Sequence, residues 1–320
     1  MRRMRIGLPV AAITLALITG CTPATGIVGT TSASTSAEQG TKTVSVPKLS
    51  ILLTNDDGWK APGIRAVYAA LAAAGHDVTV VAPSANQSGA SGRKTFWGDL
   101  VVAHPDLVPY PEYSGAKVWS VGPVEGKTGG SPADSVSFGL ATVFKDKKPD
   151  LVVSGTNLGQ NTGGVTNNSG TVGAVAEAIE SGIPSIAVST EIKADYDPAD
   201  ESIPDFKPTA DYLTGLVGKL AVAAEGGPLL PANTGLNVNH PGKTALGTKF
   251  TAVDLKDPYP LNYVETAPGT YKIEYKYAGN KDDLSIDTAA VFQGYASVSP
   301  IDASFGKGGD AVWLKAAIGG

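Results

Sequence analysis

Two hydrophobic rhythms alternate along the chain. Leu49, Ile51, Leu52 and Leu53 form an apolar run that predicts a buried strand. The run gives out at Asn55, Asp56 and Asp57, and Gly58 frees the backbone. Pro62 then opens a helical rhythm, with Ile64, Val67, Tyr68 and Leu71 on one face and Gly75 after its end. A second apolar run, Val78 to Ala82, completes a βαβ unit. The alternation recurs further on. Ser131-Pro132-Ala133-Asp134 starts a helix with Val136, Leu140, Val143 and Phe144 on one face, and Asp150 to Gly155 forms the next strand. A polar loop from Thr156 to Asn168 leads to a helix from Thr171 to Ser181, stopped by Gly182 and Pro184, and to a strand at Ser185 to Ser189. A helix at Pro208 to Leu220 and a strand at Leu236 to Asn239 follow.

This order predicts an α/β fold: a three-layer, Rossmann-like, doubly wound and mostly parallel sheet. Leu100 to Ala103 and Lys117 to Val121 are short strand candidates in a mixed stretch. Lys249 to Asp254 and Tyr271 to Tyr277 alternate like antiparallel strands, which predicts an appended C-terminal β-hairpin or antiparallel element. The last twenty residues read as a loosely held tail.

The N-terminus follows a different logic. Arg2, Arg3 and Arg5 precede an apolar stretch from Leu8 to Ile18, the pattern of a leader. Leu17-Ile18-Thr19-Gly20-Cys21 resembles the lipobox of bacterial lipoproteins, which implies cleavage before Cys21 and lipid on its sulfur. Cys21 is the one cysteine of the chain, so no disulfide forms within it. Residues 22–43 are rich in Thr, Ser, Ala and Gly without periodicity, the composition of a tether. The expected organisation is a lipoprotein signal peptide (1–20), a flexible tether (21–46), an α/β core (47–245) and a β appendage with a C-terminal tail (246–320). The protein is then extracytoplasmic, touching the membrane only through its anchor. With 25 Lys and Arg against 30 Asp and Glu, the chain offers no basic surface for a nucleic-acid duplex.

The polar residues of interest gather where strands end. Asp56 and Asp57 follow the first strand, Ser88 lies in the Gly/Ser-rich loop after the second, and Asn157 and Asn161 follow DLVVSG. Ser169, Gly170 and Thr171 open a helix. In open α/β sheets ligands bind at the carboxyl ends of the strands. Adjacent carboxylates repel and are costly to bury, so a cation is their natural partner. Oxygen donors without His or Cys select Mg²⁺, Mn²⁺ or Ca²⁺ over zinc or copper. Free N–H groups where the helix opens suit an anion such as phosphate. Taken singly, NDDG, SGASG and NNSGTVG also read as structural turns.

In order from residue 49 to 301, the segments ILLTNDDGWKAPGI, VVAPSANQSGAS, GSPADSV, PDLVVSGTNLGQN, SGTVGAVAEAIESGIPSIAVS, LNVNHP and GYASVSP resemble the successive motifs of the SurE family. That family comprises metal-dependent nucleoside-monophosphate phosphatases, the 5′/3′-nucleotidases also called acid phosphatases. The resemblance implies that Asp56, Asp57, Ser88 and Asn157 bind one divalent cation, Mg²⁺ or Mn²⁺, with Ca²⁺ able to stand in within a crystal. It implies that Asn161, Ser169, Gly170 and Thr171 hold the phosphate of a nucleoside monophosphate, and that Asp56, Asp57 and Asn161 take part in catalysis. Either aspartate could act as base or nucleophile, or water could attack. It further implies a homodimer or tetramer built through the hairpin and C-terminal segment. The chain departs from the family at Lys256-Asp257-Pro258-Tyr259-Pro260, where a basic turn is usual, and at His240, where a small apolar residue is usual. His240, His76 and His104 read as structural, while Trp59 and Trp97 flank the site in sequence and could stack on a base. The alternative is a lipoprotein that binds a nucleotide or a metal without turnover.

Overall fold

The computed structural model describes residues 45–192 and 203–304. The leader, the lipidation candidate Cys21, nearly all of the tether and most of the expected tail lie outside the described residues.

The chain runs through β1 (Ser50–Thr54), α1 (Pro62–Ala73), β2 (Asp77–Pro83), β3 (Leu100–Ala103), β4 (Lys117–Pro123) and α2 (Pro132–Phe138). It continues through β5 (Leu151–Leu158), α3 (Gly170–Glu180), β6 (Ser185–Thr190), α4 (Lys207–Ala223) and β7 (Gly235–His240). The last part holds β8 (Thr248–Phe250), β9 (Leu261–Ala267), β10 (Thr270–Tyr275), α5 (Asp287–Phe292) and β11 (Ala296–Ile301). The main sheet has the order β3-β4-β2-β1-β5-β6-β7-β11-β8. From β4 to β7 every neighbouring pair is parallel. The chain winds outward from β1 to β2 and β4, then returns to β5 on the other side and continues to β6 and β7. The winding therefore reverses between β1 and β5, and in open α/β sheets ligands bind at the carboxyl ends of the strands flanking such a reversal.

Apolar residues of the central strands divide between two faces. Ile51 and Leu53 of β1, Val80 of β2 and Val153 of β5 pack with Ile64, Val67 and Leu71 of α1 and Leu213 and Val217 of α4. Leu52, Val81 and Val152 point the other way, against Val136 of α2 and Ala174 and Ala178 of α3. Burial on both faces is why these strands read as continuous apolar runs rather than alternating ones. Ser131 caps α2 in a capping box, accepting from Asp134 N–H while its own N–H donates to the Asp134 carboxylate. Among the described residues, no helix is long and apolar enough to cross a membrane.

Three expectations need correction. The strand at DLVVSG does not stop at Gly155: β5 runs on to Leu158, with a register shift against β6 between Ser154 and Asn157 and a cis peptide between Gly155 and Thr156. A side chain at Gly155 would lie 2.2 Å from the Val188 carbonyl oxygen, so only glycine fits this turn of the strand. Of Lys249 to Asp254 only Lys249 and Phe250 lie in a strand, the three-residue β8, which runs parallel to β11 rather than antiparallel to a hairpin partner. The stretch 246–320 is also not a separate appendage throughout. β11 pairs antiparallel with β7 and β8 pairs with β11, so both extend the main sheet, and only β9 and β10 form the expected hairpin. Unpaired, the edge of β7 would expose a buried strand, and the chain returns from α5 to cover it.

Candidate active site

The first turn after β1 is set by Asn55, whose side chain donates to Gly58 O at 3.0 Å and accepts from Gly58 N–H at 3.2 Å. Gly58 holds φ at +99°, a left-handed value that favours glycine. This brace fixes the two aspartates between it and β1. Asp56 is buried and its Oδ1 accepts the Thr171 hydroxyl at 2.7 Å. The backbone N–H groups of Gly170 and Thr171 also face its carboxylate. Burial pushes the Asp56 carboxyl above its ordinary value in spite of those donors. Asp57 is half-buried, and its oxygens accept from Asn86 Nδ2 and Leu158 N–H, each at 3.3 Å. Burial first, then the neighbouring Asp56 charge, pushes Asp57 up to about 7 against the pull of the Leu158 N–H.

Neighbouring loops are drawn onto this pair. Gln87 N–H donates to Asp56 O at 2.7 Å and Asn86 Oδ1 accepts Ser88 N–H at 2.9 Å, which carries Ser88 to the same edge in an exposed loop. Further along, this loop rests on α3 so closely that a Cβ at Gly173 would sit 2.0 Å from Ser91 O. A Cβ at Gly170 would lie 2.9 Å from Asp56 Cβ, so α3 must open with glycine for the carboxylate to reach its N-terminus. Asn157 donates its amide to Gly159 O at 2.8 Å, which leaves its carbonyl oxygen as an acceptor. Asn161 is buried and held by its backbone: its N–H donates to Asn239 Oδ1 at 2.7 Å, and its carbonyl accepts from Asn237 and Asn239. Its side-chain amide donates to Ser189 Oγ at 2.9 Å and keeps a second hydrogen.

The donors expected to hold phosphate have other work as well. Ser169 caps α3 by accepting Val172 N–H at 3.1 Å, so its hydroxyl hydrogen stays available. Thr171 and the first N–H groups of α3 serve Asp56. Sequence reasoning missed Asn86, Ser189, Asn237, Asn239 and Asp287. Buried Asp287 binds Gly163 N–H at 3.0 Å through one oxygen and Asp254 N–H at 2.9 Å through the other, tying the loop after Asn161 to the C-terminal third. A signal existed for the asparagines: two amides at alternate positions of a short apolar strand, LNVNH, leave polar groups inside the fold that need partners.

His240 is buried and ends a hydroxyl chain, Thr156–Thr190–Thr209–His240, with separations of 2.9, 2.9 and 3.1 Å. His76 accepts Leu49 N–H and His104 packs on Trp119 and bonds Val118 O. Trp59 is half-buried and meets Tyr110 edge to face at 5.2 Å. Trp97 is 90% exposed.

A hard divalent cation fits these residues. Two crowded carboxylates resist ionisation together, a free amide oxygen and a hydroxyl flank them, and the buried hydroxyls of Thr54 and Ser154 just beneath lack protein partners. Among the described residues, no three His, Cys, Asp or Glu side chains gather as a metal group.

A reversed parallel winding with an acidic pair at the reversal defines a doubly wound α/β protein. Residues 51–257 match the family described as survival protein SurE. The chain is 32% identical over 279 residues to a 5′-nucleotidase SurE of Thermosynechococcus vestitus, spanning 83% of this chain and 96% of that one. It is 34% identical over 259 residues to a 5′-nucleotidase SurE of Caldanaerobacter subterraneus subsp. tengcongensis, spanning 79% and 91%. The crystal structure of the SurE protein from Aquifex aeolicus aligns with a TM-score of 0.66 at 31% identity, covering 84% of this chain and 97% of that chain. The chain belongs to the SurE family.

Proposed function

We propose that this protein is a divalent-metal-dependent phosphomonoesterase acting on nucleoside monophosphates. One observation carries the reading: two crowded aspartates at the winding reversal, one of them held against the N-terminus of α3 by Thr171. Asp56, Asp57, Ser88 and Asn157 hold Mg²⁺ or Mn²⁺. When bound, the cation supplies polarisation of a phosphoryl oxygen and makes water more acidic. Thr171 and the α3 N-terminus keep Asp56 in one orientation. Asn161, locked through its backbone, and the Ser169 hydroxyl offer fixed hydrogens to phosphoryl oxygens, where charge builds as the ester breaks. Asp57, less tightly held, is the carboxylate that takes a proton from the attacking water.

The remaining expectations belong to the same reading. The leader directs the chain out of the cytoplasm and Cys21 carries the lipid. The hairpin β9–β10 offers Tyr263 and Ile273 on one exposed face, as a cross-strand pair, and a second copy of the chain covers them.

The test is phosphate release from nucleoside monophosphates and p-nitrophenyl phosphate with Mg²⁺, Mn²⁺ or EDTA. Turnover should require the metal and disappear in Asp57→Asn. Tight metal or nucleotide binding without turnover would make the protein a binder and overturn the catalytic assignments.

A further inference from the structure

Behind the acidic site, the apolar layer between the sheet and α4 turns polar. Ile186 and Val188 of β6 and Leu236 and Val238 of β7 share this layer with Leu213 and Val217 of α4. Alternation along the strands carries Thr190 and His240 into the same layer and turns Ser189 and Asn239 to the opposite face. The two rows are in register, Ser189 beside Asn239 and Thr190 beside His240. Thr209 of α4 and Thr156 of β5 join the hidden row, and all four residues are buried. Each strand member of that row is the chain neighbour of a residue that builds the site. Thr156 precedes Asn157, Thr190 follows Ser189, whose hydroxyl accepts the Asn161 amide, and His240 follows Asn239, whose side chain grips the Asn161 backbone.

The hydroxyl chain has one direction. Each hydroxyl has a single hydrogen to give. Thr190 donates to Thr209, so Thr190 accepts from Thr156, and the Thr209 hydrogen goes to Nδ1 of His240. The imidazole is the accepting end, neutral, with its proton on Nε2. Burial lowers His240 to about 4, which keeps Nδ1 bare near neutral pH. The ring is braced as well. Tyr212 of α4 lies against it at 5.0 Å, and the Tyr212 hydroxyl bonds that of Thr248 of β8 at 2.9 Å. The His240 carbonyl accepts Glu191 N–H at 2.8 Å. An apolar residue at 240 would leave the Thr209 hydrogen buried without an acceptor.

We infer that His240 is a positioning residue: through Thr209 and Thr190 it fixes Thr156, and with it Asn157, which offers its amide oxygen to the cation. The inference rests on the reading of Asn157 as a metal ligand. β5 needs such a hold at this point. Between Ser154 and Asn157 its ladder with β6 breaks register, so strand pairing does not fix Thr156. The bond from Thr156 to the Thr190 hydroxyl spans the break, and beyond it Gly159 N–H returns to the Thr190 carbonyl at 2.9 Å. Thr190 thus holds the segment around Asn157 from both sides, and Leu158 N–H is kept against Asp57. A buried polar network with every member satisfied specifies one arrangement, where apolar contacts would permit several.

The experiment titrates Mn²⁺ into the full protein, followed by electron paramagnetic resonance, for the wild type, His240→Leu, His240→Asn, Thr209→Val and Val217→Ala. Amide hydrogen exchange is recorded on the same proteins without metal. His240→Leu and Thr209→Val both cut the chain and should raise the Mn²⁺ Kd about tenfold, the lower end of what losing a partner behind a metal ligand costs. Asn sets an acceptor close to where Nδ1 stood and should recover most of the affinity. Val217→Ala loosens the packing of the same helix and should leave Mn²⁺ binding unchanged, which separates positioning from plain loss of stability. Exchange should quicken at Leu158 and Gly159 when the chain is cut and stay as in the wild type at Val152 and Val153. Thr209→Val keeps the shape of its residue and carries the test if His240→Leu folds poorly. Affinity retained in the folded chain-cutting variants, or lost equally in Val217→Ala, would overturn the role of His240. If the wild type takes up no Mn²⁺ yet exchange at Leu158 and Gly159 still quickens selectively, the metal reading falls and the positioning role stands. Without metal uptake and without that change in exchange, both fall.

Discussion

The hydroxyl of Thr171 is one oxygen in a helix of eleven residues, and it sets the orientation of a carboxylate 115 positions away. Removing it with Thr171→Val keeps the shape of the residue and leaves Asp56 to turn. The expected result is a tenfold to hundredfold loss, about the usual size for a residue that orients a metal ligand, seen as a raised Mn²⁺ requirement in titration. His240 predicts a pH effect of known sign. Its ordinary value is 6.5, and burial lowers it to about 4 in the folded protein. Between those values the unfolded chain binds a proton that the native one refuses, so stability is complete above about 6.5 and declines as pH falls toward 4. Asp57 and Glu191, each raised to about 7, act with the opposite sign over the same range, so the His240 contribution is read as a difference: the urea midpoint of His240→Gln relative to wild type should rise as pH is lowered from 7 to 5. Legibility at this scale was uneven. The adjacency of Asp56 and Asp57 is written in the sequence, whereas the partner of Thr171 depends on two distant loops meeting. Asn161 could be marked from its motif, but the clamp of Asn237 and Asn239 on its backbone could not.

Among the elements, the parallel strands were the plainest to read, because burial on both faces leaves an unbroken apolar signature in β1, β2, β5 and β6. β11 hid for the opposite reason. ASVSPI is small and polar, with a proline near its end, yet Ser297 and Ser299 are fully buried and share Thr251 as a hydrogen-bond partner. A strand satisfied by hydroxyls carries no hydrophobic run. Close approach between elements can be tested at Gly63, in the first turn of α1. A side chain there would lie 2.2 Å from Thr156 O, a backbone atom that cannot swing aside. Gly63→Ala should destabilise the fold by roughly 1–3 kcal/mol, the usual cost of overpacking, measured as a lower denaturant midpoint. Since Asn157 follows Thr156, activity should fall further than stability alone would explain.

At the scale of the whole molecule, the hairpin gathers exposed apolar side chains on one two-stranded ribbon. All of its strand residues are exposed, and Tyr263, Tyr271 and Ile273 are each more than half exposed. A two-stranded ribbon standing alone is marginal in water, so contact with another copy would stabilise it. Ile273→Lys, at a cross-strand pair, should shift the protein toward monomer in sedimentation or light scattering while leaving the far-UV spectrum unchanged. The doubly wound architecture was readable from the order of strands and helices. The route of the last third was not, because it depends on which sheet edge remained open once β7 was in place.

The bond between Asp287 and Gly163 spans 124 positions. During synthesis the chain up to residue 240 can assemble the parallel run from β4 to β7 and bring Asp56 and Asp57 together. The segment that follows Asn161 lacks its tie at Gly163 until Asp287 has been made and α5 has turned back. A nascent chain therefore carries its acidic pair early and its finished pocket late. Competence to bind substrate waits for residue 287, and a chain cut short before it would keep much of the scaffold and lack the clasp.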